Sequence, residues 1–338
     1  MNYQKRAEID WESRQGQLGL ICDTYRRNDG TNDCIIPVSG GKDSHTLVAL
    51  MTDVYKMHPL LVTVADPFKH TIAGTHNLNN LKQHYNHYQY EIALDTFQKA
   101  SRWAFEQLGI PLKFIEVAIY TIPYYLARIM GIHLVIFGEN SAYEYGMTEH
   151  NFMLGNKFIY TLVKNAIADM DWWKDGGVGA EELGTITPHV YNWPLVLYMS
   201  YFYPWSSVTN FEIAKEMGFQ DLDDTGEWMR VGTIEQFEQI DSYGYLAHLW
   251  LRYPRMGFQR ATDIATRRVR EGYMTGDEAL EVIEMVDHQI DPWALGSFCE
   301  TLGYTQDEFW HIVQEAPWNK YFGKPFATIQ SSEDLGRN

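Results

Sequence analysis

Cysteine is scarce in this chain: Cys22, Cys34 and Cys299 stand far apart, and no Cys-x-x-Cys pair occurs. That spacing leaves no disulfide framework and no zinc knuckle, and it suits a reducing, cytoplasmic location. Positive charge is also short, with 27 Lys and Arg against 44 Asp and Glu for a net charge of −17. A sequence-independent nucleic-acid binder needs a cationic footprint to displace counterions from phosphates. The balance therefore argues against a nucleic-acid partner and towards small molecules or proteins. No apolar signal segment follows Met1. One long stretch, Thr185 to Phe211, is free of Asp, Glu, Lys and Arg, but Pro188, Asn192, Pro194, Ser200, Pro204 and Ser206 interrupt it. Those breaks argue against a spanning helix, so no membrane insertion is expected and the stretch reads as buried strand and pocket wall.

What is present is enough apolar sequence for a full core: 45% of the 338 residues are hydrophobic and 21% charged. The 22 Tyr, 16 Phe and 11 Trp suit filled cores first. They also leave a deep pocket or a homo-oligomer interface open. Residues 6–27 read as a polar helix closed by the turn Asn28-Asp29-Gly30. Beyond it, strands (Cys34 to Val38, Leu60 to Ala65, Tyr90 to Leu94, Ile132 to Phe137) alternate with helices (Asp43 to Lys56, Thr75 to Tyr85, Thr96 to Leu108, Tyr120 to Met130). This alternation predicts an α/β fold, a parallel Rossmann-like sheet with helices on both faces. Asp169 to Gly184 reads as an acidic, mobile loop, and the chain from Thr209 onward as mostly helical. Thr275 and Thr305 each precede a Glu by three residues, the capping-box spacing. The expected organisation is an N-terminal helical extension over 1–30, a nucleotide-handling α/β domain over 31–150, and a substrate-binding, helical C-terminal region over 151–338.

The chemistry concentrates in Ser39-Gly40-Gly41-Lys42-Asp43-Ser44, between the first strand and its helix. In parallel sheets ligands bind at the carboxyl ends of strands. Gly40 and Gly41 allow backbone angles and close approach that side chains would block. Successive N–H groups and the helix N-terminus then face an anion. Ser39 and Ser44 add hydroxyls and Lys42 a cation. Asp43 by itself repels phosphate, which gives it the task of holding Mg²⁺ against phosphate. The loop is not a Walker motif: Ile36 stands where that motif has its first glycine, and Asp43 where it has Ser or Thr after Lys. It suits pyrophosphate as a leaving group, where a Walker loop serves transfer of the terminal phosphoryl group.

This hexapeptide resembles the signature of the N-type ATP pyrophosphatases, the PP-loop superfamily. The resemblance implies an adenine nucleotide alpha hydrolase (HUP-type) sheet, cleavage of ATP between the α- and β-phosphates, and adenosine held by backbone near Val64. Within the superfamily the chain is similar to the N-acetyl sugar amidotransferases of surface-polysaccharide biosynthesis, the WbpG and PseA group. Ile9-Asp10-Trp11-Glu12-Ser13-Arg14, Tyr25 to Gly30, Asp33 to Val38 with the loop, Gly138-Glu139-Asn140-Ser141, Glu144-Tyr145-Gly146 and Gly257 to Asp263 carry that similarity. The chain departs from the family in lacking its cysteine-bearing opening segment and in Ser141 and Gln259, where the family has Pro and Gly.

The resemblance implies an ATP-dependent, AMP-forming amidotransferase. An amide oxygen of a nucleotide-linked N-acetyl sugar takes AMP, ammonia displaces it to leave an acetamidino group, and separate glutaminase and ammonia-channel subunits supply the ammonia. The alternatives are another PP-loop enzyme that amidates or thiolates a small molecule, nucleobase or tRNA, or a nucleotide-binding subunit without turnover. The candidate catalytic residues are Lys42, Asp43 and Arg260. Ser39 to Ser44, Val64, Gly138, Glu139 and Asn140 are candidates for holding ATP, and Asp43 for Mg²⁺. Arg260 reads equally as a structural partner of Asp263, and Arg267, Arg268 and Arg270 as a solvated helix face. The aromatic stripe Tyr198, Tyr201, Phe202, Tyr203 and Trp205 reads as core, and His84 with His87 lack the further ligands that zinc needs.

Overall fold

The computed structural model describes residues 8–139, 153–191 and 193–323. The chain divides into two compact units. The first comprises Met1–Ala100, Lys113–Trp228 and Gln236–Ser242; the second comprises Ser101–Leu112, Met229–Glu235 and Tyr243–Asn338. Among the described residues no helix is long and apolar enough to cross a membrane.

The first unit is built on five parallel strands, β1 (Cys34–Pro37), β2 (Pro59–Ala65), β3 (His87–Glu91), β4 (Leu134–Phe137) and β5 (Leu195–Tyr198), in the order β3-β2-β1-β4-β5. Cys34, Ile36, Leu61, Leu134, Ile136 and Leu197 share one core with Leu18 and Cys22 of helix α1 (Trp11–Tyr25) and Leu47 and Val48 of helix α2 (Lys42–Ala49). The alternate residues Ile35, Val62, Val135 and Val196 are as deeply buried. Helix α5 (Lys113–Ile129) packs on β1, β2 and β4 and contributes its own buried face of Phe114, Ala118 and Ile122. Burial on both faces explains the unbroken apolar runs of the inner strands. It also confirms the Rossmann-like sheet expected from the alternation.

The differences from expectation are local. β3 lies three residues earlier than the apolar pattern suggests, because parallel pairing of Leu61–Ala65 with His87–Glu91 fixes it, and an exposed polar edge strand shows no apolar run. Helix α2 ends at Ala49 and continues as a wide π turn over Leu50–Val54. The stretch Asp169 to Gly184 is not an open loop. It forms the short helices Met170–Asp175 and Ala180–Ile186, because Trp173, Val178, Leu183 and Ile186 are spaced to bury together while the acidic residues stay outside. Trp205 and Phe202 join the main core and Tyr198 is buried, as the core reading of the stripe required.

Several motif residues prove to be fasteners. Asp10 caps α1 through Ser13 N, and the Arg14 guanidinium lies 3.9 Å from the Tyr201 ring centroid and donates to Tyr201 O. Arg26 donates to Tyr55 O and Lys56 O, Arg27 to Gly131 O, and the buried Asp33 carboxylate accepts from Arg27 N and His58 N. In the second unit, both predicted capping boxes are present at Thr275/Glu278 and Thr305/Glu308. There Phe105, Phe298 and Phe309 form an aromatic core, with Phe105 stacked on Phe309 at 5.3 Å.

One close approach fixes the loop region. Thr71 caps helix α3 (Ile72–His84) through Gly74 N and also donates to Ile240 O, and Glu227 accepts from Ile72 N and Ala73 N at 3.0 Å. This seats Gly74 directly on the 240–241 backbone: a Cβ there would stand 2.5 Å from Asp241 O and 2.9 Å from Ile240 O. Gly74→Ala should therefore destabilise the protein by about 1–3 kcal/mol despite alanine's better helix propensity. Gly16→Ala, in open space within α1, should stabilise by about 0.5–1 kcal/mol. Urea unfolding of the two variants checks the pair, and a stabilised Gly74 variant would contradict the packing.

Candidate functional site

The hexapeptide leaves the carboxyl end of β1, which β2 and β4 flank on either side. Gly40 takes a φ of +97°, and a Cβ there would meet the Leu78 backbone at 3.0 Å. Here only glycine fits. Gly41 is the N-cap of α2 and makes no side-chain cap, so the positive end of the helix opens towards the loop. The turn is braced internally, with Ser39 N donating to Ser44 Oγ at 3.1 Å and Gly41 N donating to Ser39 Oγ at 3.3 Å. Behind it, His45 Nδ1 lies 3.1 Å from Gly41 O. Burial pushes the His45 imidazole down to about 4 against the opposing pull of that hydrogen bond. A neutral ring therefore donates to the carbonyl and props the loop.

Ser39, Gly41, Lys42, Asp43 and Ser44 line a cleft of about 350 Å³, part of it open to solvent, opposite Phe237 to Asp241. Lys42 Nζ is 3.0 Å from Asp43 Oδ2 and 3.0 Å from Glu238 Oε1. Asn210 Nδ2 donates to Asp43 Oδ1 at 2.6 Å, and Ser207 Oγ to Glu238 Oε1 at 2.9 Å. Asp241 places both carboxylate oxygens beside Gly41, and its Oδ1 is buried without a hydrogen-bond partner. Burial pushes Asp241 up to about 6, with the Ser39 hydroxyl opposing the rise and the nearby Asp66 adding to it. Asp66 is itself raised by burial and accepts from Ser242 Oγ at 3.2 Å.

The remaining sequence candidates are spread more widely. Val64 is the last residue but one of β2, where it pairs with Tyr90, and Gly138 follows β4. A Cβ at Gly138 would meet the Trp205 ring at 3.1 Å, and its carbonyl accepts from Ser200 N at 2.9 Å. Glu139 is exposed, and Asn140 lies outside the described residues, as do Ser141 and Glu144 to Gly146. Val64, Gly138 and Glu139 share the carboxyl edge with the loop without lining the cleft. Arg260 belongs to the second unit, on helix α12 (Arg260–Glu271), with its NH1 3.9 Å from Asp263 Oδ2. Asp263 is bound more closely by Arg252. The solvated-face reading of Arg268 needs correcting, since its Nε donates to the buried Glu235 carboxylate at 2.7 Å.

Sequence reasoning missed Ser207, Asn210, Glu238 and Asp241. A signal was present: Glu235, Glu238 and Asp241 recur at every third residue. That spacing looks like the wet face of a helix, but no helix forms there, and Glu238 and Asp241 turn to the loop.

Chemically, the cleft sets one ammonium among three carboxylates beside an uncapped helix terminus. A polyanionic ligand enters such a place only with a counter-cation. Both Asp43 oxygens already have partners, and among the described residues no group of three or more His, Cys, Asp or Glu is placed to hold a metal. Asp43, Glu238 and Asp241 offer hard carboxylate oxygens of the kind Mg²⁺ takes one or two of at a time.

Comparison with known proteins adds one match in sequence. Residues 231–330 match the family described as LPS biosynthesis protein WbpG-like, C-terminal domain. The match covers under half of the chain and begins just ahead of Glu238 and Asp241. No curated protein matches. Among solved structures the chain is similar to NMN synthetase from Francisella tularensis, at 15% identity over 87% of this chain and 96% of that one, with a TM-score of 0.38. Likeness at that level bears on neither reaction nor substrate.

Asp241 offers a pH test of this geometry. Its folded pKa, about 6, lies above the ordinary carboxylate value of 3.8. The protein therefore prefers it protonated, and that preference stabilises fully below the unfolded pKa and is lost as pH rises through about 6. Asp241→Asn should raise stability at pH 7–8 by about 1–3 kcal/mol. The gain should shrink below about pH 4. Urea titrations across pH measure it, and a gain independent of pH would show that Asp241 ionises freely.

Proposed function

We propose that this chain is an ATP-dependent, AMP-forming amidotransferase. It would adenylate the amide oxygen of a nucleotide-linked N-acetyl sugar and let ammonia replace AMP, leaving an acetamidino group. The observation that carries the reading is the SGGKDS loop at the carboxyl end of the central strand, with the α2 N-terminus uncapped and Lys42 and Asp43 in one cleft. The WbpG-like match over residues 231–330 supports the sugar class, through its description as a lipopolysaccharide biosynthesis protein.

In this reading the loop N–H groups and Ser39 and Ser44 bind the β- and γ-phosphates. Lys42 stabilises charge on the departing pyrophosphate, and Asn210 and Lys42 hold the Asp43 carboxylate in place. Mg²⁺, when bound at Asp43, supplies the neutralising charge. Gly40 and Gly41 let the backbone come near enough for the amide oxygen to meet the α-phosphorus in line. Arg260 keeps its place as a candidate for the sugar nucleotide.

The test is product analysis with ATP, Mg²⁺ and ammonium over a panel of nucleotide-linked N-acetyl sugars, with tRNA as the comparison. AMP and pyrophosphate should appear together in the presence of one of the sugars. ADP and orthophosphate as sole products would overturn the reading, release with tRNA alone would move it to nucleobase chemistry, and tight ATP binding without release would make the chain a subunit. Asp43→Asn and Lys42→Ala should each lower turnover by about 10²–10³-fold. The unfolding midpoint should change little in the Asp43 variant and fall in the Lys42 variant, which leaves the Glu238 carboxylate buried without its ammonium.

The nitrogen source follows from the cysteines. Burial raises Cys22 to about 12, Cys299 to about 11 and Cys34 well above the ordinary thiol value, and all three are free and enclosed. None is set up as a glutaminase nucleophile. The isolated chain should therefore use ammonium and not glutamine, with a separate glutaminase and its channel subunit as the proposed partners. Glutamine-dependent amidination by the chain alone, surviving replacement of all three cysteines by serine, would refute this.

A further inference from the structure

A lysine that is to meet phosphate ought to be presented to the cleft, but the Lys42 side chain is only 4% exposed. Its ammonium is clamped at 3.0 Å by Glu238, itself 3% exposed, while Ser207 donates to the same carboxylate oxygen at 2.9 Å. Phe237 lies beside Nζ, with the ring centroid 5.9 Å away, and stacks at 4.1 Å on Phe211. An ammonium in such a setting is tolerable only beside an anion. Asp43 provides part of the counter-charge, but it belongs to the loop and is tied to Asn210. Glu238 comes from a segment 196 residues downstream, and it lines the same cleft in which a diphosphate would lie.

We propose that Glu238 is an internal stand-in for phosphate. It holds the Lys42 ammonium in the ligand-free protein, yields it to a diphosphate oxygen when nucleotide binds, and takes it back as pyrophosphate leaves. This rests on reading the loop as a pyrophosphate site. Lysine suits such an exchange, because a compact charge with three donors on a flexible four-carbon stem can change partners by small rotations. Ser207 stays behind to satisfy the carboxylate. The affinity of the loop for pyrophosphate is then a difference between two ion pairs, and Glu238 sets how easily the product departs.

Calorimetric titration of the full chain with inorganic pyrophosphate and Mg²⁺ tests the exchange. Glu238→Gln removes the competing charge and should tighten binding by about tenfold or more. Glu238→Asp keeps the charge with a shorter reach and should tighten binding by a smaller factor. The Asp variant decides the matter if loss of the carboxylate prevents folding, as judged by circular dichroism. Binding to the parent chain with equal or weaker affinity in the variants would overturn the stand-in and make Glu238 a residue that aims Lys42. Absence of pyrophosphate binding in the parent and in both variants would instead overturn the reading of the loop itself.

Discussion

The site depends first on the placement of β1 between β2 and β4. A strand buried on both faces and paired on both edges can present functional groups only from its ends. Its carboxyl end continues into Gly40, whose positive φ turns the chain against Leu78, and then into an uncapped helix terminus. The open N–H groups at the start of α2 are thus a consequence of how the sheet is filled. The same constraint explains why so many motif residues are structural. Asp10, Arg14, Arg26, Arg27 and Asp33 tie α1 and the ends of the sheet together, far in function from any ligand.

Electrostatics impose the second constraint. In a chain of net charge −17, the cleft is no exception to the acidity around it, since Asp43, Glu238 and Asp241 outnumber Lys42 there. In the proposed function, attraction for a polyphosphate would come from backbone dipoles, from a divalent cation carried with the ligand, and from a lysine whose charge is already engaged. In that function such a site would favour exchange over accumulation, binding a metal–triphosphate and still releasing a metal–diphosphate. His45 fits the same economy of charge, since burial keeps it neutral directly under the loop.

Packing around the cleft is as specific as its charge. Gly74 admits the 240–241 backbone against the first turn of α3, and Thr71 and Glu227 satisfy the N–H groups of that turn. The segment bearing Glu238 and Asp241 is thereby held by backbone contact and by caps. Residues 236–242 fall in the first unit although the chain on both sides of them belongs to the second. A helical reading of the acidic spacing could not foresee this, because the contacts that override it, from Thr71 to Ile240 and from Lys42 to Glu238, span more than 150 residues of sequence.

The sequence by itself determined the parallel α/β class, the inner strands, the loop with its glycines and its Lys–Asp pair, and both capping boxes. Each of these is written in local pattern: unbroken apolar runs between helices, residues that alone tolerate a backbone angle, or a hydroxyl three residues before a carboxylate. Tertiary structure alone decided what stands opposite the loop. Glu238 against Lys42, Asn210 against Asp43, Asp241 beside Gly41 and Arg268 against Glu235 join residues that share no periodicity. It also set the edge strand β3 three residues early and folded Asp169 to Gly184 into helices. The physical reason is the same in each case. A buried charge or an edge strand takes its stability from whichever partner the completed sheet brings within hydrogen-bonding distance, and that partner leaves no mark in the neighbouring sequence.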